Sequence, residues 1–241
     1  MARNSRAIAT LAIAIGALSA AAQAATVTQA IDNGVTAGPL SSTAASTFDA
    51  SVPGMTIVDF ESFAIGAMAG ATAIAPGVTL SATGAEAVEI RSDSDVVLSF
   101  NTTLAGSNHV RVWPFFDGPD VFVTFSFAAP IDAFGFFHSG TQTTIAGTFT
   151  VEFDDGTAQS IALTETDNDG GVGFFGITGF ASAISSITIH EAGPFASRDL
   201  WGIDDIRFRT AAADVPAPAS LALLGAALAG LGASRRSRRT A

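Results

Sequence analysis

The chain has 241 residues, a net charge of −11, and neither cysteine nor lysine. The missing cysteine excludes disulfides, thiol nucleophiles and thiolate metal sites, and the missing lysine excludes Schiff-base chemistry. Residues 25–214 hold all 22 acids against five arginines, a net −17 that repels nucleic acid and anionic lipid.

The first 24 residues read as a secretory signal peptide. Arg3 and Arg6 give a positive start, 8–18 an apolar run, and Ala22-Gln23-Ala24 a small-x-small cleavage site. Residues 25–55 are rich in Ala, Ser and Thr and poor in large apolar side chains. They are expected to form a loose leader with one short helix over 42–48.

From Thr56 the texture changes. Eleven short strands are predicted, at 56–60, 78–81, 87–91, 109–113, 121–127, 133–138, 147–153, 160–163, 171–177, 184–190 and 203–209. Val121, Val123, Phe125 and Phe127 alternate with Phe122, Thr124 and Ser126, and Phe149, Val151 and Phe153 share a face. Asp154-Asp155-Gly156-Thr157 between two runs signals a hairpin. Short strands punctuated by turns, with no long amphipathic helix, predict an all-β, antiparallel jelly-roll-like β-sandwich over 56–210. The 25–214 body is long enough for one domain with a real core.

The end of the chain has three parts. Residues 211–218 are a linker and processing hinge containing Val215, Pro216 and Pro218. Residues 219–233 form a predominantly apolar run of 15, short of the ~20 of a comfortable membrane helix. Arg235, Arg236, Arg238 and Arg239 follow, and such a knot holds a segment end on the cytoplasmic side. The expected element is a short C-terminal membrane helix.

This tail resembles the PEP-CTERM sorting signal of Gram-negative bacteria. The matches are Val215, Pro216, Pro218, Ser220, Leu221, Leu223, Leu224, Gly225, Gly230 and the arginines. The tail departs at Ala217, where the family prefers Glu, and at the inserted Ala219. The resemblance implies export, then transient anchoring in the inner membrane. It further implies cleavage near 216–218 by exosortase, a membrane protease-transpeptidase, and delivery to the cell surface or exopolysaccharide matrix.

The body also resembles domains found upstream of such signals. The carrying pieces are Val58-Asp59-Phe60-Glu61, Pro76-Gly77-Val78-Thr79-Leu80-Ser81, Phe134-Gly135-Phe136-Phe137 and Gly202-Ile203-Asp204-Asp205-Ile206-Arg207-Phe208. They look like jelly-roll sandwiches of the carbohydrate-binding-module and MAM type. That likeness implies neighbouring first and last strands, with Glu61 and Asp204 or Asp205 converging on a structural calcium ion. The alternative for the two aspartates is a strand edge capping a turn.

Two further places carry candidate chemistry. Residues 165–171 have acids at alternate positions before glycine, like the start of a calcium loop, but Gly176 stands where the closing Glu belongs. A polar hairpin turn explains the same residues. Trp113 with Phe116, Asp117 and Asp120, and Trp201 with Arg198 and Asp199, are candidate sugar contacts. Core packing is the competing reading for Trp113.

No catalytic motif stands out. His109, His138 and His190 lack metal-ligand spacing, and His138 and His190 are expected as solvated strand tips. There is no G-x-S-x-G, and no motif selects a carboxylate pair. The expected function is a non-enzymatic surface or matrix component, a glycan-binding or structural β-sandwich. The alternative is a secreted glycan-active enzyme.

Overall fold

A computed structural model describes residues 25–92, 98–103, 106–115, 118–142, 148–193 and 199–212. The expected signal peptide and sorting tail lie outside the described residues. The described elements, in chain order, are β1 (Thr26–Asn33), α1 (Pro39–Ser51), β2 (Thr56–Val58), β3 (Gly66–Ala67), β4 (Thr72–Ala75), β5 (Val78–Thr83), β6 (Ala85–Arg91), β7 (His109–Pro114), β8 (Val121–Ser139), β9 (Thr148–Asp154), β10 (Ala158–Ala162), β11 (Gly171–Thr178), β12 (Ile184–Ala192) and β13 (Trp201–Thr210). All pairing between these strands is antiparallel.

β8 organises the sandwich. Two separate strands were expected here, yet one strand of 19 residues serves both layers. Its first part pairs with β5 and β12, and its second part with β11 and β13. The change of partners falls at Ala128, Ala129 and Pro130, all exposed. A proline there lacks only a donor that the ladder does not need. One layer therefore runs β4-β5-β8-β12-β9-β10, and the other β1-β11-β8-β13-β7-β6-β3, with β2 beside the end of β13.

The facing sides are apolar. Leu80, Val123, Phe125, Ile187, Ile189 and Val151 meet Phe134, Phe136, Phe175, Ile177, Ile203 and Val112 in one buried cluster. Tilted ring pairs such as Phe125–Phe134 at 5.3 Å fill it. Each fully buried side chain of this size contributes ~1.5–3 kcal/mol.

Residues 25–55 are not a loose leader. β1 pairs along its whole length with β11, from Thr26↔Thr178 to Asn33↔Gly171. α1 then covers the outer side of that layer, burying Ala45, Phe48 and Val52 against Ala133, Phe137, Val172 and Phe174. Phe48 sits over Gly135 and Gly176, a cross-strand pair. A β-carbon at those positions would lie 3.2 and 2.8 Å from its ring, so glycine serves space here. Asp32 holds the helix start, accepting from Leu40 N–H at 3.2 Å and Ser41 N–H at 2.7 Å.

Candidate functional site

Glu61 and the Asp204-Asp205 pair each hold backbone or hydroxyl donors of the chain that precedes β7. Glu61 Oε1 accepts from the N–H groups of Ser107 and Asn108, each at 2.9 Å. Asp204 Oδ2 accepts from Thr102 N–H at 2.7 Å and Thr103 N–H at 3.1 Å. Asp205 Oδ1 accepts from the Thr103 hydroxyl at 2.8 Å. Together they clamp both flanks of the 101–108 segment.

The backbone explains how adjacent aspartates serve one loop. Strict alternation would send them to opposite faces. Instead β13 bulges between Asp204 and Arg207 against β8, and Asp205 adopts φ 46. That left-handed residue turns its carboxylate toward Thr103, and its carbonyl accepts from Arg207 Nη1 at 2.6 Å. Arg207 also ion-pairs with Asp49 at 3.3 Å and lies 4.9 Å from the Phe137 ring.

Burial, and then Asp205 beside it, pushes the Asp204 carboxyl up to about 7. Burial raises Asp205 as well, with Asp59 and Asp49 adding to it and Thr103 and Arg207 opposing. Among the described residues, no three carboxylate or imidazole side chains are disposed to hold a metal. The three predicted calcium ligands instead point their oxygens at N–H and O–H donors. A calcium ion here would have to displace those bonds and draw most of its six to eight oxygens from carbonyls and hydroxyls.

A second set of carboxylates, at the end of the sandwich where β8 begins and finishes, holds donors in the same way. Glu191 is buried and accepts from Asp199 N–H at 2.7 Å and from Trp201 Nε1–H at 3.1 Å. Asp199 accepts from Gln142 N–H at 2.6 Å. Burial drives Asp199 up to about 8, with Glu191 and Glu165 as like-charged neighbours. Glu165, itself raised by burial, accepts from Phe149 N–H at 3.2 Å.

This geometry corrects the reading of Trp201 as a sugar contact. Its side chain has no exposed surface and packs edge-on to Phe149 at 5.3 Å. The 165–171 segment is a polar turn. Asp169 N–H bonds Asp167 Oδ1 at 3.0 Å, and Gly170 N–H bonds Asp167 O at 3.0 Å.

Trp113 is half-buried on β7. The Arg111 guanidinium lies 5.3 Å from its ring and bonds Glu89 through Nε at 3.0 Å. Asp117 and Phe116, its expected companions, lie outside the described residues, as does Arg198.

The histidines divide. His109 is fully buried and bonds Ser99 Oγ at 3.0 Å. His138 is no solvated tip: it is 1% exposed, and burial lowers its pKa to about 3, so it stays neutral. His190 is half-buried, stacked 4.3 Å from Phe122, between Glu152 at 2.8 Å and Asp120 at 3.4 Å. Sequence reasoning missed the Glu191–Asp199–Trp201 group and the His190 group. The alternation of β12 puts Glu191 on its inward face and was the available signal.

The predicted sorting residues Val215, Pro216, Pro218, Arg235, Arg236, Arg238 and Arg239 lie outside the described residues. Their pattern is matched by the family description "PEP-CTERM protein-sorting motif", over residues 214–239.

This chain carries a PEP-CTERM sorting motif.

The body that precedes the PEP-CTERM motif is similar to adhesin and carbohydrate-binding domains. The K1 cleaved adhesin domain of Lys-gingipain from Porphyromonas gingivalis W83 is 7% identical, covering 66% of this chain and 99% of that one, with a TM-score of 0.40. The CBM22-1 xylan-binding domain of Paenibacillus barcinonensis Xyn10C is 17% identical, covering 65% and 95%, with a TM-score of 0.33. The enzymatically active domain of tailspike protein 4 from Bacteriophage CBA120 is 15% identical, covering 56% of this chain and 19% of that one, with a TM-score of 0.35. No curated protein matches the chain.

Proposed function

We propose that this chain is an exported component of the cell surface or exopolysaccharide matrix, sorted by exosortase, whose β-sandwich is non-catalytic and associates with glycan. The observation that carries the reading is the sorting motif at 214–239, which begins four residues after the closing strand β13. The signal peptide starts export, and the apolar run and arginines halt it in the inner membrane. The protease then acts in the hinge around Pro216 and Pro218.

The carboxylates support a non-catalytic body. Asp199, Asp204 and Glu191 are each at most 3% exposed and each anchors a backbone N–H. A glycosidase needs two carboxyl groups facing an open cleft.

Calcium is proposed only as a structural ion. What supports it is that Glu61, Asp204 and Asp205 bind the same short stretch of chain, Thr102 to Asn108. A rise in melting temperature on adding calcium, reversed by EDTA, supports the ion; an unchanged melt leaves a purely hydrogen-bonded clamp.

Routing tests the main reading. Replacing Arg235, Arg236, Arg238 and Arg239 together by Ala is expected to abolish surface delivery, and unchanged delivery would overturn the sorting mechanism. Retention of the exported protein on the host's exopolysaccharide tests the glycan part. Loss of retention in EDTA makes binding calcium-dependent, and no retention in either buffer reduces the body to a passive structural element.

A further inference from the structure

The two ends of the described body lie side by side. Thr26, the first residue of β1, pairs with Thr178; Thr178 pairs with Ala133; Ala133 pairs with Arg209, next to last in β13. One row across four adjacent strands therefore joins both ends, about 15 Å apart at three strand spacings. The signal-peptide pattern stops at Ala24 and the sorting motif starts at 214. Both membrane-directed segments thus adjoin the same end of the sandwich. The second exit is tied to the β8 corner by Ala211 N–H, which donates to Pro130 O at 2.9 Å.

That end is poor in charge. Ala128, Ala129 and Pro130 are exposed, beside an apolar hollow lined by Ala73, Ala75, Val78 and Phe127. Among the described residues, the ionisable groups along the row and corner are Arg209 and Asp132, paired at 2.7 Å, with Asp154 and Asp155 in the neighbouring β9–β10 turn. The far end lies about 24 Å along β11. Asp32, Glu165, Asp167, Asp169, Glu191 and Asp199 gather there.

We propose that the row from Thr26 to Arg209 and the Ala128–Pro130 corner form the face that meets the lipid headgroup surface while the tail is anchored. The inference rests on the anchoring reading above. Seven chain steps lead from Ala212 to Ala219, where the apolar run begins, and they span at most about 25 Å. Turning the far end toward the bilayer would lift the exit by about 24 Å and demand an almost fully extended tether. Electrostatics acts in the same sense. Anionic headgroups repel a body of −17, and screening removes that repulsion beyond ~8–10 Å. With the charge-poor end down, the far-end acids stand outside that range.

The absence of cysteine makes the test clean. Ala129→Cys at the corner and Asn168→Cys at the far end, both exposed positions, each carry one fluorophore. The full chain is reconstituted in phosphatidylethanolamine–phosphatidylglycerol vesicles containing a headgroup-attached quencher. Unchanged thermal melts check that both variants fold. Quenching several-fold stronger at 129 than at 168 is expected. Equal quenching, or stronger quenching at 168, overturns the orientation while leaving anchoring intact. A full chain that does not associate with the vesicles overturns the anchoring reading and this inference with it.

Discussion

The two ends of the sandwich are held by different means. Among the described residues, the end where the chain leaves is closed mainly by backbone pairing and small exposed residues, with the Arg209–Asp132 ion pair and a single buried carboxylate, Asp155, accepting from Ala181 N–H at 2.8 Å. The opposite end is closed by carboxylates that accept from backbone N–H groups: Asp32 on α1, Glu191 on Asp199, and Asp199 on Gln142. Lower on the same layer, Glu61 and Asp204 do the same for 101–108. The chain has no cysteine to staple its loops and no lysine to pair its acids. Carboxylate–amide bonds take that role, and desolvation raises the pKa of Asp199 and Asp204 in return. The loop end should therefore respond to pH and to loss of single partners, and the leaving end should not.

Trp201→Ala should give the largest effect on stability. It empties a fully buried site and strips Glu191 of a donor, so a loss of roughly 3–5 kcal/mol is expected in denaturant unfolding. Ala129→Ser, at the leaving end, should stay within about 0.5 kcal/mol. Comparable losses at both ends would break the comparison. Gly176→Ala comes next. Its β-carbon would lie 2.8 Å from Phe48, and overpacking of this kind costs about 1–3 kcal/mol.

The pH response is smaller and has a definite sign. Asp199 and Asp204 have folded pKa values of about 8 and 7, above their ordinary 3.8. The folded state keeps protons that the unfolded chain has released. The stabilisation is thus complete below the unfolded value and is lost as pH rises through 7 to 8. Melting temperature should fall between pH 5 and pH 8, and Asp204→Asn should flatten that fall. A melt that rises over the same range would contradict the assignment. The smallest expected change is at Glu61, where Glu61→Gln weakens the bonds to Ser107 and Asn108. Faster proteolysis within 101–108, with global unfolding little changed, would mark a local clamp.

Much of the fold was legible because alternation is a local signal. The runs around Val121, Phe149 and Ile187 each show it, and the Asp155-Gly156 turn joins β9 to β10 as expected. β1 was missed because Thr26–Asn33 is polar and pairs through its backbone, leaving no apolar pattern to read. The continuity of β8 was hidden by Ala128–Pro130, which reads as a break in sequence and serves as a corner in space. Glu61, Asp204 and Asp205 stood out in the sequence as carboxylates with work to do, and all three accept hydrogen bonds from the segment before β7. Their partners Thr102, Thr103, Ser107 and Asn108 did not, because a hydroxyl or amide donor carries no sequence mark. Trp201 looked like a sugar contact because burial of a strand-opening tryptophan depends on Glu191, ten residues upstream.

The most direct test of the account is the intact mass of the protein recovered from the surface fraction. A chain that starts at Ala25 and ends within 214–218, free of the apolar run and its arginines, is the predicted result. A surface protein that still ends at Ala241 would contradict exosortase sorting.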